Sequence, residues 1–390
     1  MYGVILSIAL FATISTALAT IAIAVGALLI IYEYARTKKF PQFDSEMVKV
    51  LVIYFVAQIF IAVTSVNIAT SLREVVGEMH RFFPLLFAMT FVKDRDQLRG
   101  VMLATLVSSL VNDAAGIYQY FIEGTPRAEG LEYSPTFFAS SMLIQIPILI
   151  FMVEEKLLPE KFRSVGIFAT LLSVLCLGLS MTRGAWLSFV AVIFLFVALE
   201  KKHRKRTAKL FAALFIIFLI VLDMSPKLQE RIETLTDKNF QSNTERVLMW
   251  ESAIEIFKDY PIHGIGQKMF EKLYNEEYIS PDAKERPDET MSGHTHPHNN
   301  FLFVLSEGGI IGLVSFVGLY AYLFRRFFLQ YQREDSMKFS AGLTLLLILA
   351  ALHLEGLTDT NLNQVKLMRE FWILAGSLIA ANKFLVKSEE

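Results

Sequence analysis

Apolar residues in this chain come in runs too long and too frequent for a soluble core. They lie near 47–65, 81–92, 98–121, 137–153, 164–181, 184–199, 208–223, 299–324, 339–352 and 371–386. Most approach or exceed the ~20 residues one helix needs to cross a bilayer. No water is available there to bond the backbone, so helices, whose bonds are internal, are the form such runs take. The first 35 residues are almost uncharged. As one helix they would reach about 50 Å, well past a ~30 Å hydrocarbon core. Two short spans with a break near Ser15 and Thr16 are therefore expected. The expected fold class is an all-α polytopic membrane protein with about twelve transmembrane helices.

Composition excludes several function classes. Hydrophobic residues make up 54% of the chain and charged ones only 19%, with a net charge of −1. That balance gives no electrostatic footing for nucleic acid. Cys176 is the one cysteine and lies inside an apolar run, so an intrachain disulfide is impossible and a cysteine-based metal site is not expected. The N-terminus lacks a basic flank and a cleavage site, so no cleavable signal peptide is expected.

Lys and Arg set the orientation. Basic loops at Arg36 to Lys39, Lys93 to Arg99, Lys156 to Arg163, "EKKHRKRTAK" (200–209) and Arg325–Arg326 alternate with loops poor in base. The basic side is expected to be cytoplasmic and to hold both termini. No internal repeat is visible. Three parts are expected: transmembrane helices 1–9 over residues 1–223, a long non-cytoplasmic loop over 224–297, and transmembrane helices 10–12 over 298–390.

The long loop carries nine Lys/Arg against fourteen Asp/Glu. Loops of this length are functional or disordered, and this one shows local order. "SNTE" (242–245) reads as a capping box, with Ser242 at the N-cap and Glu245 three residues on. Val247, Trp250, Ile254 and Phe257 then recur at helical spacing, and Pro261, Gly264 and Gly266 end the helix. A folded, partly helical lid beside the membrane is expected.

Candidate chemistry gathers on that same side. Arg183 sits in "LSMTRGAWLSF" (179–189), in the middle of otherwise apolar sequence. Two readings compete: an arginine reaching to the interface, or an anion site built on a guanidinium fork suited to phosphate. Arg246 falls in the first turns of the loop helix, where the dipole is positive and an anion would be welcome. Pairing with Glu245 or Glu233 is the plain alternative. Arg73, Arg81 and Arg127 are weaker candidates on this face. Two arginines together favour a diphosphate over either alone.

His294, His296 and His298 alternate, so an extended chain would point all three one way and zinc must be weighed. No further Cys/His pair at ligand spacing supports zinc, and no metal or other cofactor is expected. His298 differs from the others because it opens the next span. An imidazole titrates near neutral pH and suits a general base; a helix-end histidine that only hydrogen-bonds is the competing reading. Glu307, nine residues on, is a carboxylate inside the membrane and so a functional suspect, although pairing with a polar group inside the bundle is the slightly favoured reading. Gly308, Gly309 and Gly312 allow close packing or a kink. Asp359 and His353, in "HLEGLTDTNLN" (353–363), are candidates to line the same cavity. "DRD" (94–96) mimics a metal-binding signature but lies in a short turn on the opposite face.

Taken in order, "MTRGAWLSF", "NTERVLMWESAIEIFKDYPIHGIG" and "HPHNNFLFVLSEGGIIGL" resemble the O-antigen ligase and polymerase superfamily. The ligase signature of His, an Asn-like residue, nine residues, Gly, two residues and a small residue is matched by His298, Asn299, residues 300–308, Gly309 and Gly312. The motifs cover about a fifth of the chain. The resemblance implies a metal-independent, inverting glycosyltransferase of GT-C-like architecture in a bacterial inner membrane, its site facing the periplasm. It implies a glycan donor on undecaprenyl diphosphate and a sugar of lipid A–core as acceptor. Arg183 and Arg246 would hold the diphosphate, and His298 would activate the acceptor hydroxyl. Asn299, Glu307, His296, Arg127 and Asp359 are candidate supporting residues.

Three other readings stay open on sequence. An O-antigen polymerase would use the same chemistry on a lipid-linked acceptor. A protein O-oligosaccharyltransferase is the next. A lipid or solute transporter fits the span count, but its polar groups are expected near the midplane, whereas here they cluster at one face.

Overall fold

A computed structural model of the protein describes residues 1–200, 226–234, 240–284 and 295–384, with positions 209, 212, 215 and 216 between them. The expected span 208–223, most of the basic stretch 200–209 and His294 lie outside these residues. Among the described residues the regular structure is entirely helical.

Over residues 1–200 the structure has nine α-helices: α1 (Tyr2–Phe11), α2 (Thr16–Thr37), α3 (Ser45–Val63), α4 (Ile68–Met79), α5 (Phe83–Phe91), α6 (Arg95–Tyr118), α7 (Pro135–Glu154), α8 (Arg163–Leu179) and α9 (Arg183–Leu199). The break expected near Ser15 is present. The Ser15 hydroxyl accepts from the Leu18 N–H at 3.3 Å and starts α2 afresh. The long loop contributes α10 (Pro226–Glu233), α11 (Gln241–Asp259) and the single turn α12 (Phe270–Leu273). The chain then returns through α13 (Asn300–Tyr331), α14 (Ser336–Glu355) and α15 (Val365–Phe384). Seven described helices are long and apolar enough to cross a membrane, with α1 and α9 shorter apolar helices beside them. The chain is a multi-pass membrane protein.

Contacts at the helix ends bear out the grouping of the basic loops. Arg326 grips Asp44 through both Nη atoms, at 3.0 and 2.7 Å, joining the start of α3 to the end of α13. Arg95 donates to the Glu155 carbonyl at 2.8 Å and Arg99 to the Leu157 carbonyl at 3.0 Å, joining the 93–99 and 156–163 turns. Tyr331 donates to the Leu199 carbonyl at 2.9 Å. "DRD" is structural here: Asp94 caps α6 by accepting from Gln97 N–H at 2.8 Å.

The opposite face carries the loop unit, and its register differs from the sequence expectation. α11 begins at Gln241 with Phe240 at the N-cap and no side-chain cap, so Ser242 lies inside the helix. Glu245 is buried and accepts from the Lys284 N–H at 2.8 Å instead of closing a capping box. The buried stripe is Glu245, Met249, Ser252, Ala253 and Ile256, whereas Val247 and Ile254 are exposed. The apolar period was real but the packed face lies beside it. Met249, Ala253 and Ile256 join Ile265, Met269, Phe270, Leu273 and Tyr274 in a small core that closes on Phe303 of α13.

The residues after α11 dock into a broken helix. Gly309, with φ 58° and ψ −155°, interrupts α13. The Ile310 and Ile311 N–H groups donate to the carbonyls of Pro261 and Ile262 at 2.9 and 3.2 Å, and the Ile265 and Gly266 N–H groups donate to those of Ser306 and Glu307 at 3.1 and 2.8 Å. The inserted strand of chain thus refills bonds that the kink opens. Glycine is required on both sides. A Cβ on Gly309 would lie 2.6 Å from the Ile262 carbonyl carbon, and one on Gly264 (φ +64°) 2.4 Å from that of Glu307.

Candidate active site

His298 is placed by its neighbours rather than by a helix of its own. α13 starts at Asn300, two residues later than a helical His298 would need. Asn299 is the N-cap, its Oδ1 accepting from the N–H groups of Phe301 and Leu302 at 2.9 and 3.1 Å. Its own N–H donates to Thr360 Oγ1 at 3.2 Å and its Nδ2 to the Leu357 carbonyl at 3.0 Å. Asn300 N–H donates to the Gly356 carbonyl at 2.7 Å, and Asn300 Nδ2 to Asn361 Oδ1 at 2.7 Å. The loop between α14 and α15 is thereby stitched to the start of α13. His298 itself has φ 49°. A non-glycine residue in that region costs on the order of 1–3 kcal/mol and persists only where its surroundings over-determine it.

That geometry delivers the imidazole to Asp359. His298 Nδ1 and Asp359 Oδ1 are 2.9 Å apart. Burial alone would raise the Asp359 carboxyl. The His298 hydrogen bond, the charges of His298 and His296 and the Thr360 N–H outweigh it and hold the group below the ordinary carboxylate range. An ionised Asp359 keeps the proton on Nδ1 and leaves the Nε2 lone pair available. The arrangement is that of a general base with its orienting carboxylate.

Both arginines belong to elements that border the loop carrying Asp359. Arg183 opens α9, nearly buried, behind Met181 in the left-handed region at φ 52°. The next residue, Gly184, abuts the dyad loop: a Cβ there would lie 2.0 Å from Thr358 Oγ1. The Arg183 fork reaches into the loop unit. Nη1 donates to the Thr234 carbonyl and, at 3.0 Å, to Thr234 Oγ1; Nη2 donates to Asn243 Oδ1 at 2.8 Å; and the guanidinium lies 4.9 Å from the Phe240 ring centre. Arg246 lies on α11, one turn before Trp250, whose Nε1 donates to the Pro297 carbonyl at 2.9 Å. Arg246 is also close enough to the Glu355 carboxyl to act on it electrostatically. Among the described residues no hydrogen bond or ion pair holds its guanidinium, so pairing with Glu245 or Glu233 is not what places it.

Of the supporting candidates, Arg127 joins the site from behind. Its Nε donates to the Ser180 carbonyl at 2.8 Å and its Nη2 to Thr182 Oγ1 at 3.0 Å, bracing the turn that presents Arg183. His296 packs edge-on against His298 with ring centres 4.5 Å apart. His296, His298 and Asp359 offer three ligand atoms within 4.8 Å of one another, so Asp359 completes the group of groups that could hold a metal. Glu307 stands apart from the dyad: its two oxygens each accept at 3.0 Å from Lys268 and Phe270 N–H, capping the inserted segment. Arg81 pairs with Glu74 at 2.9 Å elsewhere, Arg73 is exposed, and His353 is enclosed by Phe301, Phe316 and Tyr320 inside the bundle. Sequence reasoning missed Trp250, Thr358, Thr360, Asn300 and Asn361 as site-builders. For Thr358, Thr360 and Asn361 the signal was the polar run "TDTNLN" (358–363) between two apolar spans.

The family described as O-Antigen ligase matches residues 168–317, a stretch that includes Arg183, Arg246 and His298. An uncharacterized protein of Haemophilus influenzae is 24% identical over 315 residues, 76% of each chain. A Salmonella typhimurium protein named O-antigen ligase is 25% identical over 155 residues, which is 37% of this chain and 36% of that one.

Proposed function

We propose that the chain belongs to the O-antigen ligase/polymerase family, whose model matches residues 168–317, and that it is an O-antigen ligase. It moves a glycan from undecaprenyl diphosphate to a sugar of lipid A–core at the periplasmic face of the bacterial inner membrane. The observation that carries this reading is the His298–Asp359 pair, 2.9 Å apart.

In this reading the acceptor hydroxyl gives its proton to His298 Nε2 as its oxygen attacks the anomeric carbon. The bond from that carbon to the diphosphate oxygen breaks, and undecaprenyl diphosphate leaves with the electron pair. Attack opposite the leaving group inverts the centre. Arg183 and Arg246 stabilise the charge that develops on the diphosphate. To do so Arg183 exchanges Thr234 and Asn243 oxygens for phosphoryl oxygens. Asp359 keeps His298 in the basic tautomer and stabilises the imidazolium that forms. Arg127 keeps the Arg183 turn in shape. The loop over 224–297 acts as a lid.

The test is a gel of lipopolysaccharide and lipid-linked glycan from cells lacking the protein, complemented with wild type or His298→Ala. Core without O-antigen, alongside long lipid-linked polymer, in the null and the variant is the expected result. Core bearing a single repeat unit would instead assign the polymerase reaction. An unchanged ladder would overturn both.

A further inference from the structure

Three turns on the face opposite the basic loops enclose an open groove of about 500 Å³: the break between α1 and α2, the turn that enters α7, and the loop between α14 and α15. The third wall begins at Asn363, which follows Asp359 by at most ~14 Å of chain. His298, Asp359, Arg183 and Arg246 do not line the groove.

Tyr133 is out of place there by the ordinary rules of packing. Its backbone has φ 55° and ψ 26°, the left-handed region that disfavours any residue with a Cβ and a bulky one most of all. The residue is also 78% exposed, so burial does not offset that strain. Among the described residues its ring meets one charged group, the Lys366 ammonium, 5.7 Å from the ring centre. A large aromatic ring held out of the core on a strained backbone points to a ligand.

Two carboxamides lie next to that ring. Asn363 and Gln364 line the same groove and are half-buried. Among the described residues neither side chain has a hydrogen bond. Each offers one acceptor oxygen and two N–H donors.

The remaining groups narrow the occupant. Lys366 donates to the Leu131 carbonyl and lies close enough to Glu132 to act on its charge, so a phosphate would meet a cation already balanced. One carboxylate is too few for a bound metal cation. An apolar chain would take water from both carboxamides and return nothing. A polyhydroxylated ring fits all of these features. Its hydroxyls both donate to and accept from carboxamides, and its C–H face packs on an aromatic ring.

We infer that this groove is a saccharide subsite, with Tyr133 as the stacking platform and Asn363 and Gln364 as the groups that read hydroxyls. Resting on the ligase reading, the ring it takes is a further sugar of the acceptor oligosaccharide, beyond the one that reacts. The groove is walled by the loop that carries Asp359, whereas α9 and α11, which present Arg183 and Arg246, supply none of its lining.

Full-length protein in lipid nanodiscs tests this without turnover. The probe is core oligosaccharide freed of its acyl chains, titrated by saturation-transfer NMR. Wild type is expected to bind it saturably, with no displacement by inorganic phosphate. Tyr133→Gly and Asn363→Ala are each expected to weaken binding about tenfold, while Tyr133→Phe, which keeps the ring, binds as wild type. Glycine relieves the left-handed strain, so Tyr133→Gly is also expected to melt no lower than wild type, which separates a lost platform from a damaged fold. In transfer assays the Tyr133→Gly loss falls on the acceptor KM. No binding to wild type, displacement by phosphate, or unchanged binding in both weakened variants would overturn the proposal. Unchanged binding with a lower melting temperature in Tyr133→Gly would make the ring a membrane-surface anchor instead. A loss on the donor KM alone would overturn the acceptor assignment. Oligosaccharide binding without any transfer to lipid A–core would leave the subsite standing and remove the ligase reading. Transfer with an unchanged acceptor KM in Tyr133→Gly would do the reverse.

Discussion

His298 and Asp359 share a hydrogen bond of 2.9 Å across a steep change in exposure: the carboxylate side chain is 3% exposed and the imidazole 30%. The buried member can only orient; the open member can meet a substrate. Asp359→Asn keeps the shape and can present an N–H to Nδ1, which moves the proton to Nε2 and removes the basic lone pair from the open side. Transfer in proteoliposomes is expected to fall by about 10²-fold or more, with donor binding retained. Wild-type rates would strike Asp359 from the mechanism.

The same pair makes a statement about acid stability. The folded-state Asp359 carboxyl is held below its ordinary value, so in acid the unfolded chain takes up the proton first. The stability it contributes is fully present above about pH 4, the ordinary aspartate value, and is lost as pH falls below that toward the folded value. His298→Ala removes the leading cause of the depression. Its denaturant midpoint is therefore expected to fall less steeply than wild type between about pH 4 and 2. Parallel acid slopes would contradict the linkage.

Arg183 uses its fork on two acceptors at once, Thr234 and Asn243. Lysine offers a point charge without that planar geometry. Arg183→Lys is expected to lose transfer by at least about tenfold, and a protease ladder of the loop unit should show earlier cutting near Thr234. Normal transfer would reduce Arg183 to a structural peg.

Gly309→Ala tests the kink. The alanine would sit at positive φ with its Cβ 2.6 Å from the Ile262 carbonyl carbon. The conformational strain alone is about 1–3 kcal/mol, because φ 58° with ψ −155° is a region essentially confined to glycine, and the backbone contact adds to it. A melting temperature several degrees lower is expected in detergent, and an unchanged one would mean that the inserted segment yields freely.

His296, His298 and Asp359 lie close enough to share an ion. Transfer is nevertheless expected to survive prolonged EDTA treatment, because the base needs the lone pair that a metal would occupy. Inhibition by EDTA that zinc restores would assign the group as a metal centre and displace the general-base mechanism.

The sequence made the fold class and the grouping of basic loops legible because both rest on composition and charge, which need no tertiary knowledge. Ser15 as a helix break was also legible from local backbone physics, whereas the glycines 308, 309 and 312 left close packing and a kink both open, and only the docked segment selects Gly309 as the kink. The packed face of α11 was not. Val247 and Ile254 satisfy the apolar period, yet tertiary contact selected the neighbouring stripe of Met249, Ala253 and Ile256. The partner of His298 was only half legible: Asp359 stood out as a polar residue between spans, but a bond across 61 positions has no local signature. Glu307 was singled out as a carboxylate in the membrane, and its two N–H partners come from a segment whose docking no periodicity foretells.

The segment 261–266 and the broken turn of α13 share one set of hydrogen bonds. Neither half is a complete structural part without the other, so the exchangeable unit in this architecture is not the extramembrane loop. A chimera that transplants residues 224–297 alone would carry unpaired carbonyls and N–H groups into a host helix with no gap to receive them. Recombination or engineering of substrate range has to move the boundary past Ile311, taking the histidine motif and the glycine pair along with the loop. His298 and the loop segment docked into α13 are thus inherited as a single module.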